Sequence, residues 1–117
     1  MIEMSNNICL AMSYIWCFKP DVTFSQMIKT LGVAIEKGYI SESGFVNNAD
    51  ALIFLVSGKN VKVLHSLQNN GRVCIANFAF NGHNHWVVVD ANDNIIYNPL
   101  EHSVCVEKGK IVEYRIW

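Results

Sequence analysis

The spacing of hydrophobic residues along this 117-residue chain divides it into a helical half and a strand-rich half. Three helices are predicted, over about 8–18, 24–37 and 49–56. The first stretch is apolar nearly all round, which is typical of a short helix buried in a core. Thr23 and Gln26 form a predicted capping box for the second helix, and Asn47 or Asn48 is predicted to cap the third.

Short apolar runs separated by turn residues fill the second half of the chain and indicate β-strands. The predicted strands cover about 61–64, 73–80, 85–90, 95–98, 104–106 and 111–116. Residues 66–71 are predicted to form a helical turn that ends at Gly71. Because the late strands have short connections, they are expected to pair antiparallel. Helices followed by strands predict an α+β fold with an antiparallel sheet of about five strands.

Length and composition favour one domain over residues 1–117, with a helical part at about 5–57 and a sheet part at about 61–117. About half of the residues are hydrophobic (51%), which excludes a disordered protein. The net charge is −1 and lysine and arginine form no block, which argues against a nucleic-acid partner. No apolar run approaches the roughly 20 residues of a membrane span, and the start of the chain lacks the basic segment of a signal peptide. We therefore expect a cytoplasmic protein, although the sequence also fits a segment of a longer chain. It indicates no oligomeric state.

The four cysteines of the chain lie at positions 9, 17, 74 and 105. They are too widely spaced for a typical zinc site, and nothing indicates the secretion that would favour disulfides. We expect no metal and no cofactor. Three of the four are interpreted as buried free thiols. Cys9 differs because it falls in the first turn of a predicted helix, where the helix dipole and the backbone N–H groups favour a thiolate.

A cysteine nucleophile needs a base within hydrogen-bond reach and a third group that orients that base. His85 starts one predicted strand and Asn98 ends the next, so their side chains would meet across a hairpin. The Asn98 amide oxygen would accept the imidazole N–H without adding a charge. His83 has the same strand parity as His85 but lies in a predicted loop, which makes it the second candidate for the base. Trp86 is a candidate for the wall of a cleft, or else a core residue.

These candidate residues lie in short motifs. Cys9-Leu10-Ala11-Met12-Ser13 is similar to the C-W-A-F-S that opens the active-site helix of papain-like cysteine peptidases. Residues 67–76, His85-Trp86-Val87-Val88-Val89 and Ile95-Ile96-Tyr97-Asn98-Pro99 resemble most closely the double-glycine-leader (bacteriocin-processing) peptidases. The resemblance implies a papain-like fold with Cys9 as nucleophile, His85 as base and Asn98 as orienting residue. It also implies a cysteine hydrolase that cleaves a peptide or amide bond of a peptide or protein substrate through an acyl-thioester.

One residue of the papain-like pattern is missing. Those enzymes carry a glutamine a few residues before the cysteine, which donates to the oxyanion. Glu3 has about that spacing but cannot donate when it is ionised, whereas Asn6 and Asn7 are candidates for the oxyanion donor. The missing glutamine favours an alternative, a catalytically degraded papain-like binding or assembly module. An acyl transferase or a cell-wall amidase of similar fold is a further alternative, although Asn7-Ile8-Cys9-Leu10 departs from the D-C-S-G of such amidases.

Overall fold

A computed structural model describes residues 8–99 and 103–117, and it has helices packed on one antiparallel sheet. Its helices are α1 (Cys9–Phe18), α2 (Phe24–Glu36), α3 (Ala49–Ser57) and α4 (Val104–Lys108). Its strands are β1 (Leu64–Ser66), β2 (Cys74–Phe80), β3 (His83–Val89), β4 (Ile95–Tyr97) and β5 (Lys110–Ile116). The α+β class predicted from the sequence is confirmed. Within these two ranges, no helix is long and apolar enough to cross a membrane.

Local side-chain hydrogen bonds set the starts of α2 and α3. The Thr23 hydroxyl accepts from the Gln26 N–H at 3.1 Å, and the Gln26 side chain accepts from the Thr23 N–H at 3.0 Å. Both halves of the predicted capping box are therefore present. Asn48, rather than Asn47, caps α3 by accepting from the Ala51 N–H at 3.1 Å. These bonds satisfy donors that the first turn of a helix leaves without a partner in the helix itself.

The strands of the sheet follow the order β1–β5–β2–β3–β4, and neighbouring strands run antiparallel. β2 and β3 pair along their whole length. Asn81-Gly82 connects them with positive φ at both residues, which is the two-residue hairpin turn that Asn-Gly favours. β4 is shorter and pairs only with Val88 and Val89. Within the described chain, no strand therefore lies beside residues 83–87 on the β4 side of β3.

The sheet separates two hydrophobic clusters, because neighbouring residues along a strand point to opposite faces. Val88 belongs to the larger cluster, together with buried residues of α1, α2 and α3. Val87 and Val89 belong to the smaller cluster with Tyr114, and Val106 of α4 packs against it. We call the two sides of the sheet the α1 face and the α4 face.

The prediction of a strand at 104–106 is wrong, because these residues begin α4. Cys105 is buried and Val104 is exposed, so one side of a short helix is enough to cover the sheet. Gly109, directly after α4, allows the chain to pass close to the backbone of β2. A Cβ atom there would lie 2.3 Å from the Cys105 carbonyl oxygen and 2.4 Å from the carbonyl oxygen of Ala79 in β2. The apolar triplet matched a strand by propensity, but long-range packing decided its conformation.

The segment before β2 also differs from its prediction. β1 begins at Leu64 rather than at residue 61, because the Asp50 carboxylate of α3 accepts from the Val63 N–H at 2.9 Å. That bond occupies a donor that an earlier strand would have used. The helical turn predicted to end at Gly71 is absent, since the Gly71 N–H donates to the Asn69 side chain at 2.8 Å. Such local side-chain bonds compete with helix formation.

Candidate functional site

His85 and Asn98 meet across the β3–β4 hairpin. Nε2 of His85 lies 2.6 Å from Oδ1 of Asn98. His85 is the third residue of β3, and Asn98 directly follows Tyr97, the last residue of β4. Because Tyr97 pairs with Val88, Asn98 stands diagonally across from His85 on the same side of the sheet. The hairpin therefore holds the candidate base and its candidate orienting residue in hydrogen-bond contact.

Side-chain bonds within the β3–β4 loop fix this hairpin. The Asp90 carboxylate accepts from the backbone N–H groups of Asn92 and Asn94, each at 2.9 Å. The Tyr114 hydroxyl of β5 donates to the Asp93 carboxylate at 2.9 Å and ties the loop to the rest of the sheet. The turn predicted from these polar residues is confirmed. The turn sets the register of β4 against β3 and therefore the position of Asn98, which follows β4.

Burial determines the protonation of His85, whose side chain is 2% exposed. Burial lowers the pKa of His85, because removal from water disfavours the charged ring, while the hydrogen bond to Asn98 acts in the opposite direction. The ring is therefore neutral at neutral pH. Because an amide oxygen only accepts, Nε2 carries the proton and donates it to Oδ1. Nδ1 is left with a lone pair, which is what a general base needs.

Cys9 lies in the first turn of α1, as predicted, but its thiol is not acidified. The side chain is 1% exposed, and burial raises the pKa of Cys9 to about 11, against a smaller lowering by its own backbone N–H group. The expected thiolate is therefore wrong for the resting chain, since desolvation outweighs the helix terminus. The thiol keeps its proton at neutral pH unless a base removes it.

Contacts of α1 place it against the two strands that carry His85 and Asn98. The Ser13 hydroxyl donates to the Trp86 carbonyl of β3 at 3.3 Å. Trp16 stacks on Tyr97 of β4, with ring centroids 5.0 Å apart and planes 9° apart. Burial raises the pKa of Tyr97, and the Cys9 side chain adds to the rise. The middle and the C-terminal part of α1 are thus anchored on β3 and β4.

The alternation of side chains along β3 places His85 on the α4 face. His85 shares its parity with Val87 and Val89, whereas Trp86 and Val88 pack on the α1 face. The structure therefore joins His85 to Asn98 and packs α1 on the opposite face of the same strands.

The remaining candidates have other positions. His83 starts β3 rather than lying in a loop, and its side chain is exposed. The Trp86 ring is half-buried under the Arg115 guanidinium, which lies 4.6 Å from the ring centroid, so it packs on the sheet. Asn6 and Asn7 lie outside the described residues, and the oxyanion assignment stays a prediction. Among residues 8–99 and 103–117, no three His, Cys, Asp or Glu side chains are grouped to hold a metal ion.

No family model, curated protein or solved structure matches this chain.

A cavity of about 220 Å³ lies between α1, the start of α2 and Tyr97 of β4. It is lined by Met12, Trp16, Val22, Thr23, Phe24, Met27 and Tyr97. Met12 and Trp16 follow Cys9 by three and seven residues and so share its side of the helix. The volume is below the roughly 300–1,000 Å³ of typical small-molecule pockets, and it suits a single side chain better than a cofactor.

Two residues at the site were not predicted from the sequence. Ser13 appeared only as the last residue of a motif, and Tyr97 only as part of a strand. The spacing of four residues between Cys9 and Ser13 puts both on one side of α1, which was the available signal. Its partner Trp86 lies 73 residues away, and no local pattern connects them.

Proposed function

We propose that this protein is a cysteine hydrolase with a papain-like arrangement, in which Cys9, His85 and Asn98 form a catalytic triad. The observation that carries the proposal is the 2.6 Å contact between Nε2 of the buried His85 and Oδ1 of Asn98. A neutral ring held in this way offers Nδ1 as its basic atom. Cys9 begins the helix that packs on the other face of the same strands, so the proposal requires the thiol to reach Nδ1 past the edge of β3, at residues with which β4 does not pair.

The resting pair is neutral, so the base acts during the attack. His85 Nδ1 takes the proton of the Cys9 thiol while Sγ attacks the carbonyl carbon of a peptide or amide bond. The imidazolium then gives that proton to the leaving amine, which leaves an acyl-thioester on Cys9. His85 next takes a proton from water, the hydroxide attacks the thioester, and the departing sulfur regains a proton. Asn98 accepts from Nε2–H throughout and keeps the ring in one orientation.

The negative oxygen of the tetrahedral intermediate needs donors. The backbone N–H of Cys9 is one, because the first residue of a helix directs this group out of the helix end. Asn6 or Asn7 would supply a second. Loss of one such donor typically costs about 10²–10³ in rate, so a poor second donor would slow the enzyme without abolishing the reaction.

A catalytically degraded binding or assembly module is a second candidate. It is favoured by the burial of Cys9, which is 1% exposed and has its pKa raised to about 11. In that case the thiol is a core residue, and His85 and Asn98 stabilise the hairpin only.

Iodoacetamide labelling of the folded protein at neutral pH, mapped by mass spectrometry, separates the two candidates. Cys74 is a matched internal control, because it is 0% exposed and burial raises its pKa to about 11 as well. If His85 assists, Cys9 reacts at least about tenfold faster than Cys74, which is less than the 10²–10⁴ that a positioned base can contribute. His85→Ala should remove this advantage, and His83→Ala should preserve it.

Equal labelling of Cys9 and Cys74 would contradict the hydrolase and support the module. First reaction of Cys17 or Cys105 would show that the nucleophile is wrongly assigned.

A further inference from the structure

Ser13 makes a contact that its position does not require. It lies one turn after Cys9, and its side chain is 0% exposed. A serine inside a helix commonly bonds the carbonyl four residues earlier in the same helix, as Ser57 does with Ile53 at 2.8 Å. The Ser13 hydroxyl instead leaves α1 and donates to the Trp86 carbonyl at 3.3 Å. A buried hydroxyl therefore joins the helix of Cys9 to the strand of His85.

The acceptor lies where β3 has little support from β4. β4 pairs only with Val88 and Val89, so it offers no ladder donor to Trp86. The Trp86 side chain is also held, because the Arg115 guanidinium lies 4.6 Å from its ring centroid. Arg115 is fixed in turn by an ion pair with Glu113 at 2.5 Å. Trp86 is thus anchored at both its carbonyl and its ring.

We propose that Ser13 is a positioning residue, which holds the Cys9 turn of α1 against the His85 end of β3. This inference rests on the proposed function, because it concerns the approach of the Cys9 thiol to the base. Ser13 follows Cys9 by one helical turn, and Trp86 is the neighbour of His85. A contact between these two residues sets how far the first turn of α1 lies from the imidazole.

We expect that Cys9 and His85 no longer act together when the Ser13 hydroxyl is removed, although both side chains remain. Ser13→Ala retains the side chains of Cys9, His85 and Asn98 but removes the donor that joins α1 to β3. A displacement of about 1 Å at a catalytic group can cost roughly 10²-fold in rate. The variant should therefore lower the part of Cys9 reactivity that depends on His85 and spare the part that does not.

A double-substitution experiment measures this dependence. The rate at which iodoacetamide alkylates Cys9 is measured at neutral pH with His85 present and with His85→Ala, and the first rate is divided by the second. This ratio is determined in three backgrounds, which are wild type, Ser13→Ala and Ser57→Ala. We expect a ratio of about tenfold or more in wild type and in Ser57→Ala, and a ratio near one in Ser13→Ala. Ser57→Ala is the matched control, since it also removes a hydroxyl-to-carbonyl bond from a helix.

Thermal unfolding of each variant separates positioning from loss of stability. A merely structural Ser13 would lower the melting temperature and leave the ratio as in wild type, which would overturn the proposal. Should Ser13→Ala not fold, the pair Ser13→Thr and Ser13→Val replaces it, because the two have nearly equal shape and differ in the hydroxyl. The proposal then requires the high ratio in the threonine variant and the low ratio in the valine variant.

A ratio near one in the wild-type background has a different meaning. It would overturn the hydrolase itself, and the positioning role with it. A high ratio in wild type that persists in Ser13→Ala would overturn only the role of Ser13.

Discussion

Asn98→Ala tests the contact on which the candidate site depends. The substitution removes the acceptor 2.6 Å from Nε2 of His85, whose side chain is 2% exposed. A buried donor left without its partner costs about 1–3 kcal/mol of stability. For a chain of this length, each kcal/mol lowers the melting temperature by roughly 4 °C, so a fall of about 4–12 °C is expected.

The same variant should change the titration of His85. The hydrogen bond to Asn98 raises the pKa of His85 against the larger effect of burial, so its loss lowers the pKa further. Asn98→Asp should act in the opposite direction, because a carboxylate stabilises the imidazolium. Long-range ¹H–¹⁵N spectra of the histidine rings report both the pKa and the nitrogen that carries the proton. Wild type should show Nε2–H for His85.

Asn84→Ala is the matched control, because Asn84 precedes His85 in β3 and is exposed. Equal melting temperatures for Asn98→Ala and Asn84→Ala, together with unchanged His85 resonances, would refute the role assigned to Asn98.

Three further predictions concern stability. The pKa of folded His85 lies below its ordinary value of about 6.5, because burial disfavours the charged ring. The contribution of His85 to stability is therefore complete above about pH 6.5 and is lost as the pH falls through the lower folded value. Urea unfolding at several pH values should show this loss in wild type and not in His85→Gln. Gly109→Ala should destabilise the fold by about 1–3 kcal/mol, since its Cβ would meet backbone oxygens at 2.3 and 2.4 Å. Gly32→Ala should instead stabilise α2 by up to about 1 kcal/mol, because nothing lies within 4 Å of its Cβ. Equal unfolding midpoints for the two variants would contradict both expectations. Thr23→Ala should cost about 0.5–2 kcal/mol in chemical denaturation, because it removes the capping hydroxyl, and an unchanged midpoint would show that the cap does not stabilise α2.

Features set by neighbours in sequence were predicted well. The capping box at Thr23 and the Asn48 cap depend on residues three positions apart, so the sequence contains both partners. The His85–Asn98 contact could also be predicted, because the parity of a strand and a short turn determine which side chains meet across a hairpin. The Asn81-Gly82 turn, which makes His83 part of β3, is also a local signal, because Asn-Gly favours a two-residue hairpin turn. Nevertheless, a loop is predicted there from the sequence.

Features set by distant packing could not be predicted in the same way. Residues 104–106 have the composition of a strand, but they begin α4, and Val106 packs against the hydrophobic cluster on the sheet. The pKa of Cys9 follows from desolvation by the surrounding core, which outweighs the local helix terminus. The Ser13–Trp86 bond joins residues 73 positions apart. In each case the deciding partner lies elsewhere in the chain.

The central claim is that Cys9 attacks a carbonyl carbon with His85 as its base. Reaction with p-nitrophenyl acetate tests it without knowledge of the natural substrate, since the acyl group transfers to any competent nucleophile. Mass spectrometry over time should show an acetyl group that appears on Cys9 and then disappears by hydrolysis, with both steps slower in His85→Ala. An acetyl group that never forms on Cys9, or forms there no faster than on Cys74, would contradict the account. A stable acetyl-Cys9 that water does not release would also contradict hydrolysis.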